Sequence, residues 1–124
     1  MSEAELVLTD FKEGVFTITL NRPKANAFNR DMIEATQAAF KQAGRDPNVR
    51  CVLLTANGNI FSAGQDVKEV KEAEDISFRY HLMRTYNPLV LQIRGLEKPV
   101  IAGINGSVAG AALGVVLACD LRIA

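Results

Sequence analysis

From Pro99 to Cys119 the chain carries no charged residue. An uncharged stretch of that length either crosses a bilayer or is buried inside a folded protein. Gly106, Gly110 and Gly114 recur at every fourth position within it, the pattern of a helix-pairing face in membranes. Two features argue against one continuous membrane helix. Asn105-Gly106 breaks the run near its middle, and Pro99-Val100 favours an extended start. The expectation is therefore two buried elements, a strand over 100–104 and a helix over 110–119, joined by a tight polar turn.

The remaining sequence reads as globular. Its 124 residues suit one domain at roughly 150 residues per domain. Lys+Arg 14 and Asp+Glu 14 cancel to a net charge of 0, which leaves no electrostatic footprint for nucleic acid or an anionic membrane. A hydrophobic fraction of 48% with 23% charged residues fits a folded chain, not a disordered one. One histidine (His81) and two cysteines (Cys51, Cys119) rule out disulfide scaffolds, zinc fingers and multi-histidine metal sites. The opening MSEAELVLTD lacks a basic stretch followed by an apolar core, so a cytoplasmic, reduced protein is expected.

The periodicities predict an α/β chain. Residues 5–9 and Val15–Leu20 read as strands flanking a turn over 10–14. Asn29 caps a helix with its apolar face at Met32, Ile33, Thr36, Ala39, Phe40 and Ala43, ended by Gly44. Cys51–Ala56 is a continuous apolar run, read as a strand buried on both faces. A polar helix over 66–74, a longer helix from 75 to about Arg94, and a strand over 121–124 complete the order ββ-α-β-α-β-α-β. That order predicts a parallel sheet with crossover helices. The last strand stops abruptly at Ala124, so the fold is expected to continue beyond it.

Two loops attract attention as chemistry. Phe61-Ser62-Ala63-Gly64-Gln65-Asp66 follows a strand, and so does the small-residue turn running from Asn105 to Ala112. Ligands in parallel α/β sheets sit at the carboxyl ends of strands. Small residues at a helix start let backbone N–H groups without intrahelical partners face a ligand, or simply allow close helix–sheet packing. Two such loops could aim amides at one carbonyl oxygen, the design of an oxyanion hole, which suits the enolate of an acyl thioester.

These residues resemble the crotonase superfamily of enoyl-CoA hydratases and isomerases. The resemblance runs from Leu20-Asn21-Arg22-Pro23-Lys24-Ala25-Asn26-Ala27 through Phe61–Asp66 and Lys98-Pro99-Val100-Ile101-Ala102-Gly103-Ile104-Asn105-Gly106. It continues into Gly110-Ala111-Ala112 and residues 117–124. Family members are about twice this length. The resemblance thus implies a crotonase-like spiral of ββα units, truncated, with residues 1–124 as the N-terminal part of a single acyl-CoA-binding domain.

It also implies roles. The oxyanion hole would use the backbone N–H groups of Gln65 and Ala111. Lys24, Ala25, Ala63, Asp66, Val67 and Lys68 fall where the family contacts substrate, with Lys24 and Lys68 near the phosphates of coenzyme A unless they are ordinary surface lysines. Coenzyme A is part of the substrate, and no separate cofactor or metal is implied. Where two-acid hydratases carry a glutamate, this chain has Gly114, which dehalogenase-like members also tolerate. The other family carboxylate would lie beyond Ala124.

An isomerase-type enzyme is therefore expected, with this stretch alone inactive. A non-catalytic acyl-CoA-binding module is the alternative, and the zero net charge lends nothing to an RNA-binding role. Gln65-Asp66 and Tyr86-Asn87-Pro88-Leu89 are similar to the isomerases of ring-epoxidised phenylacetyl-CoA. The family also implies a homo-oligomer, a trimer or dimer of trimers, in the full-length protein.

The other candidates read as structural. His81 is expected to be a packed or exposed helix histidine. Cys51 and Cys119 read as small core residues, and Asp120 as a cap or turn residue. No serine stands in a G-x-S-x-G context, and no P-loop or G-x-G-x-x-G is present.

Overall fold

A computed structural model describes residues 5–22, 25–64 and 78–124, with side chains in the last stretch described from Tyr86 onward. Alternation along Val15–Leu20 makes β2, in which Phe16, Ile18 and Leu20 are buried. It pairs antiparallel with β1 (Val7–Lys12), and the intervening turn is only Glu13-Gly14. The expected turn over 10–14 is thus shorter, because Asp10, Phe11 and Lys12 extend the hairpin through their pairing with Thr17, Phe16 and Val15.

The first helix, α1 (Arg30–Arg45), starts as its cap residue dictates. Asn29 Oδ1 accepts a hydrogen bond from the Met32 amide at 2.8 Å. Its buried residues are Met32, Ile33, Thr36, Ala39, Phe40 and Ala43, the face expected from the spacing. The helix does not end at Gly44. Lys98 reaches in from elsewhere in the chain, and its ammonium donates to the Ala43 and Asp46 carbonyls at 2.7 Å each. The Ala43 carbonyl, left without an intrahelical partner in the last turn, is satisfied by this cation instead of by a left-handed glycine, while Asp46 also accepts from the Val49 amide at 3.1 Å.

Next come β3 (Cys51–Ala56), the short β4 (Ile60–Ser62) and α2 (Phe78–Gly95), which carries Pro88 within it. Then β5 (Val100–Gly103), β6 (Ser107–Val108), α3 (Ala111–Ala118) and β7 (Leu121–Ile123) follow. A five-stranded sheet has the order β1-β2-β3-β5-β7, parallel from β2 onward. The pair β4 and β6, which sequence periodicity does not reveal, forms a separate two-stranded parallel sheet. Runs of three and two residues are too short for alternation to register. The expected helix over 66–74 lies outside the described residues.

The uncharged run is therefore β5, a turn, β6 and α3, and among the described residues no helix is long and apolar enough to cross a membrane. The core lies between one sheet face and the helices. Phe16, Ile18, Leu20, Val52, Leu54, Val100 and Ala102 meet residues of α1, of α2 (Leu89, Ile93) and of α3 (Ala112, Val115, Val116). Cys51–Ala56 is not buried on both faces as expected. Val52, Leu54 and Ala56 are buried, whereas Cys51, Leu53 and Thr55 are only half-buried, because the helices cover one side.

Asp120 joins α3 and β7 to this sheet. Its amide donates to the Val100 carbonyl at 2.8 Å and its Oδ2 accepts from the Val100 amide at 2.7 Å. The residue is the structural tie expected of it. A carboxylate on a backbone amide is a charge-assisted bond, so Asp120→Ala should lower unfolding free energy by roughly 1–3 kcal/mol. Asp120→Asn, which keeps an oxygen acceptor, should lose less than half of that in urea titrations.

Candidate active site

Both loops follow strands and both meet α3. Ser62, at the end of β4, accepts from the Ala109 amide through its carbonyl at 3.1 Å. Gly64 then lies against the start of α3. A methyl group there would stand 2.7 Å from the Ala109 carbonyl oxygen, 3.2 Å from the Ala111 nitrogen and 3.3 Å from the Gly110 Cα. With φ at +97°, Gly64 is required both by backbone conformation and by space. Gly110, at φ +59° and ψ −138°, begins α3 in a backbone region open essentially to glycine.

At that helix start, the Ala112 and Leu113 amides donate to the Ala109 and Gly110 carbonyls. Among the described residues the Ala111 amide has no acceptor. It is one of the amides that a first helical turn cannot satisfy internally, and it sits at the positive end of the helix dipole.

A third loop braces this meeting point through Asn26, a residue of the Leu20–Ala27 motif to which the sequence reading gave no role of its own. Asn26 is buried, with φ +51°. Its Nδ2 donates to the Asn57 and Ile60 carbonyls at 2.9 and 3.0 Å, and its Oδ1 accepts from the Arg22 amide at 2.8 Å. The Asn26 carbonyl accepts from the Ser62 hydroxyl at 2.9 Å, and that same hydroxyl accepts from the Gly64 amide at 3.1 Å. Ala63 donates to the Ala25 carbonyl, and the Gly64 carbonyl accepts from Phe28 at 2.7 Å. Beyond its place in that motif, the sequence hint was the tolerance of asparagine for the left-handed region.

Of the expected site residues, Ala25, Ala63 and Ala111 are thus brought to one place: Ala25 half-buried, Ala63 exposed, Ala111 at the first position of α3. Gly114 is on the same helix, exposed, and a methyl group added to it would meet nothing within 4 Å. Lys24, Gln65, Asp66, Val67 and Lys68 lie outside the described residues. His81 is on α2, with its side chain also outside them. Among the described residues no group of three or more His, Cys, Asp or Glu side chains is placed to hold a metal.

Comparison with known proteins decides the family. The sequence profile of the enoyl-CoA hydratase/isomerase family matches residues 10–124. This chain belongs to the enoyl-CoA hydratase/isomerase family. It is 40% identical to the 1,2-epoxyphenylacetyl-CoA isomerase of Escherichia coli (strain K12), over 97% of this chain and 47% of that protein. It is 39% identical to the short-chain-enoyl-CoA hydratase of Clostridium acetobutylicum, over 91% of this chain and 44% of that one. A solved enoyl-CoA hydratase/isomerase (crotonase) from Legionella pneumophila superposes with a TM-score of 0.87 at 29% identity, covering 98% of this chain and 48% of its own. The crotonase-like fold expected from the motifs is the fold observed, and the chain spans about half the length of these relatives.

The two thiols of this enoyl-CoA hydratase/isomerase-family chain have separate fates. Cys119 is buried, its Sγ directed to the Val115 carbonyl at 3.5 Å. Burial, with a smaller contribution from the Asp120 carboxylate and against the opposing Arg122, pushes its pKa up from 9.0 to about 11. Cys51 is half-buried on the open sheet face. A thiol disulfide reagent at pH 8 should therefore modify Cys51 well before Cys119 in the folded chain, and both in urea. Since the folded pKa of Cys119 lies above the unfolded one, its contribution to stability is complete below about pH 9 and is lost as pH rises through about 11.

Asn26→Ala removes both donors and the acceptor and places alanine at a positive φ, and should destabilise the chain by roughly 3 kcal/mol in urea unfolding. Asn26→Gly, which keeps the backbone conformation without steric cost, should lose about 1 kcal/mol less.

Proposed function

We propose that this chain forms the acyl-CoA-binding half of an isomerase-type enzyme, the N-terminal part of one domain. The N–H groups of Gln65 and Ala111 donate to the thioester oxygen. Lys24, Ala25, Ala63, Asp66, Val67 and Lys68 meet the coenzyme A portion of the substrate, the two lysines near its phosphates, and no further cofactor takes part. A carboxylate outside these 124 residues takes a proton from the carbon beside the thioester carbonyl. The electron pair moves onto the oxygen held by the two amides, and the carboxyl returns the proton further along the enolate. Water is not added. A cytoplasmic location and assembly of the full-length protein as a trimer or dimer of trimers accompany this reading.

One observation supports it: the Ala111 amide at the dipole end of α3, without an acceptor among the described residues and packed directly against Gly64. An amide fixed before the reaction begins stabilises developing negative charge without reorganising, and one such donor is worth about 10²–10³ in rate. Gly114 supports proton relocation over hydration. It stands nearly one helical turn beyond Ala111 and has no group that transfers a proton. Relatives carry both names: the Streptococcus mutans trans-2-decenoyl-[acyl-carrier-protein] isomerase is 36% identical, beside the Clostridium hydratase.

The test joins this chain to the second half of the E. coli isomerase and follows 3-hexenoyl-CoA isomerisation and crotonyl-CoA hydration by absorbance. Isomerisation with hydration at least 100-fold slower is expected, and no turnover by the 124 residues alone. Gly64→Ala should lower kcat by about 10²–10³. Hydration as fast as isomerisation would overturn the reading of Gly114; retained coenzyme A binding with no turnover of either substrate would make the chain a binding module.

A further inference from the structure

An asparagine followed by glycine is chemically labile, because glycine has no Cβ to keep its backbone nitrogen away from the asparagine side chain. The sequence has two such pairs, Asn57-Gly58 and Asn105-Gly106. They lie in loops after β3 and β5, and they touch: Asn105 Nδ2 donates to the Gly58 carbonyl at 2.8 Å. Their surroundings differ. Gly106 is half-buried, a methyl group on it would collide with the Asn59 carbonyl and stand 3.1 Å from the Ile60 Cα, and β6 begins at the next residue. Asn57, Gly58 and Asn59 are all exposed, and a methyl group on Gly58 would meet nothing within 4 Å.

Asn57 is also where the Asn26 brace is anchored. Its carbonyl accepts one of the two Asn26 Nδ2 bonds, at 2.9 Å. Its side chain donates to Asn21 Oδ1 at 3.0 Å, while Asn21 Nδ2 is engaged on the Glu5 carbonyl at 3.0 Å. A carboxylate at position 57 has no proton to donate. It would face the Asn21 oxygen, and turning the Asn21 amide over would give up the bond to Glu5.

We propose that Asn57-Gly58 is a deamidation site whose reaction loosens the brace around Gly64. Among the described residues the Gly58 amide has no acceptor. Its nitrogen, once deprotonated, attacks the Asn57 Cγ. The new C–N bond closes a succinimide, the Cγ–Nδ2 bond breaks, and ammonia leaves with the proton. Water then opens the ring at either carbonyl, with no change of oxidation state. One opening leaves aspartate. The other leaves isoaspartate, in which the main chain runs through Cβ and Cγ and is one carbon longer. Both products lose the donor to Asn21, and isoaspartate also takes the carbonyl held by Asn26 out of the main chain. The Asn26 carbonyl holds the Ser62 hydroxyl, and that hydroxyl holds the Gly64 amide, so the change at position 57 is carried to Gly64. This inference concerns the chain's own backbone and stands whether or not the chain binds acyl-CoA.

The test ages this chain, with its folded state followed by circular dichroism, at mildly alkaline pH in buffer and in urea. The protein joined to the second half of the E. coli isomerase is aged in parallel. Peptide mapping by mass spectrometry locates the converted asparagines, and an isoaspartyl methyltransferase labels the rearranged product. In urea both asparagines should convert at similar rates. In the folded protein Asn57 should convert roughly tenfold faster than Asn105, since the contacts around Gly106 must open first. Exchange of the Ala63 and Gly64 amides should become about fivefold faster after conversion, the restraint of one hydrogen bond being lost. Asn57→Ser, which cannot deamidate, should show neither change with age. Three results would overturn the inference: Asn105 converting as fast as Asn57 in the folded protein, Asn57 surviving in buffer while it converts in urea, or exchange at Gly64 unchanged after conversion.

Discussion

The described structure hangs on a buried amide that has to be satisfied. Asn26 is held in the left-handed region and uses both ends of its side chain, two donated bonds to the Asn57 and Ile60 carbonyls and one accepted from Arg22. Leaving any of these groups unpaired away from water would cost more than the bond itself yields. The loops after β2, β3 and β4 are consequently held in one arrangement. Ser62 and Gly64 inherit it through the hydroxyl that links them to Asn26. The approach of Gly64 to the start of α3 is the end of that chain of constraints.

The close approach of Gly64 to the start of α3 places unusual demands on sequence. The residues that matter there are those that leave room. Gly64 and Gly110 are necessary because of φ and proximity, not because of reactivity. Cys119, the described thiol with a clearly raised pKa, is turned into the core and belongs to the architecture. The same holds for Asp120, whose carboxylate is occupied by the Val100 amide. Even Lys98, inside one of the most recognisable stretches, spends its ammonium on the end of α1.

Legibility tracked the length of each pattern. The α1 face from Met32 to Ala43 and the strand limits Val15–Leu20 were readable because several residues repeat with one period, and the limits of Cys51–Ala56 because the apolar run is unbroken. The pair β4 and β6 was not, since neither strand is long enough to show alternation. Gly44 misled for a different reason. The residue that satisfies the carbonyls at the end of α1 is Lys98, far away along the chain, and local sequence holds no trace of it.

By itself, the sequence determined the types of the longer elements, the buried helix face, the break in the uncharged run, and the family. All of these depend on short-range periodicity or on motifs that persist as strings of residues. Only the tertiary structure decided that Asn26 is the brace and that Gly64 meets Ala111. It also decided that, among the described residues, the helices pack on one sheet face, with Leu121 and Ile123 exposed on the other. Those are contacts between segments distant along the chain, set by strand order and register, and no local pattern encodes which strand lies next to which.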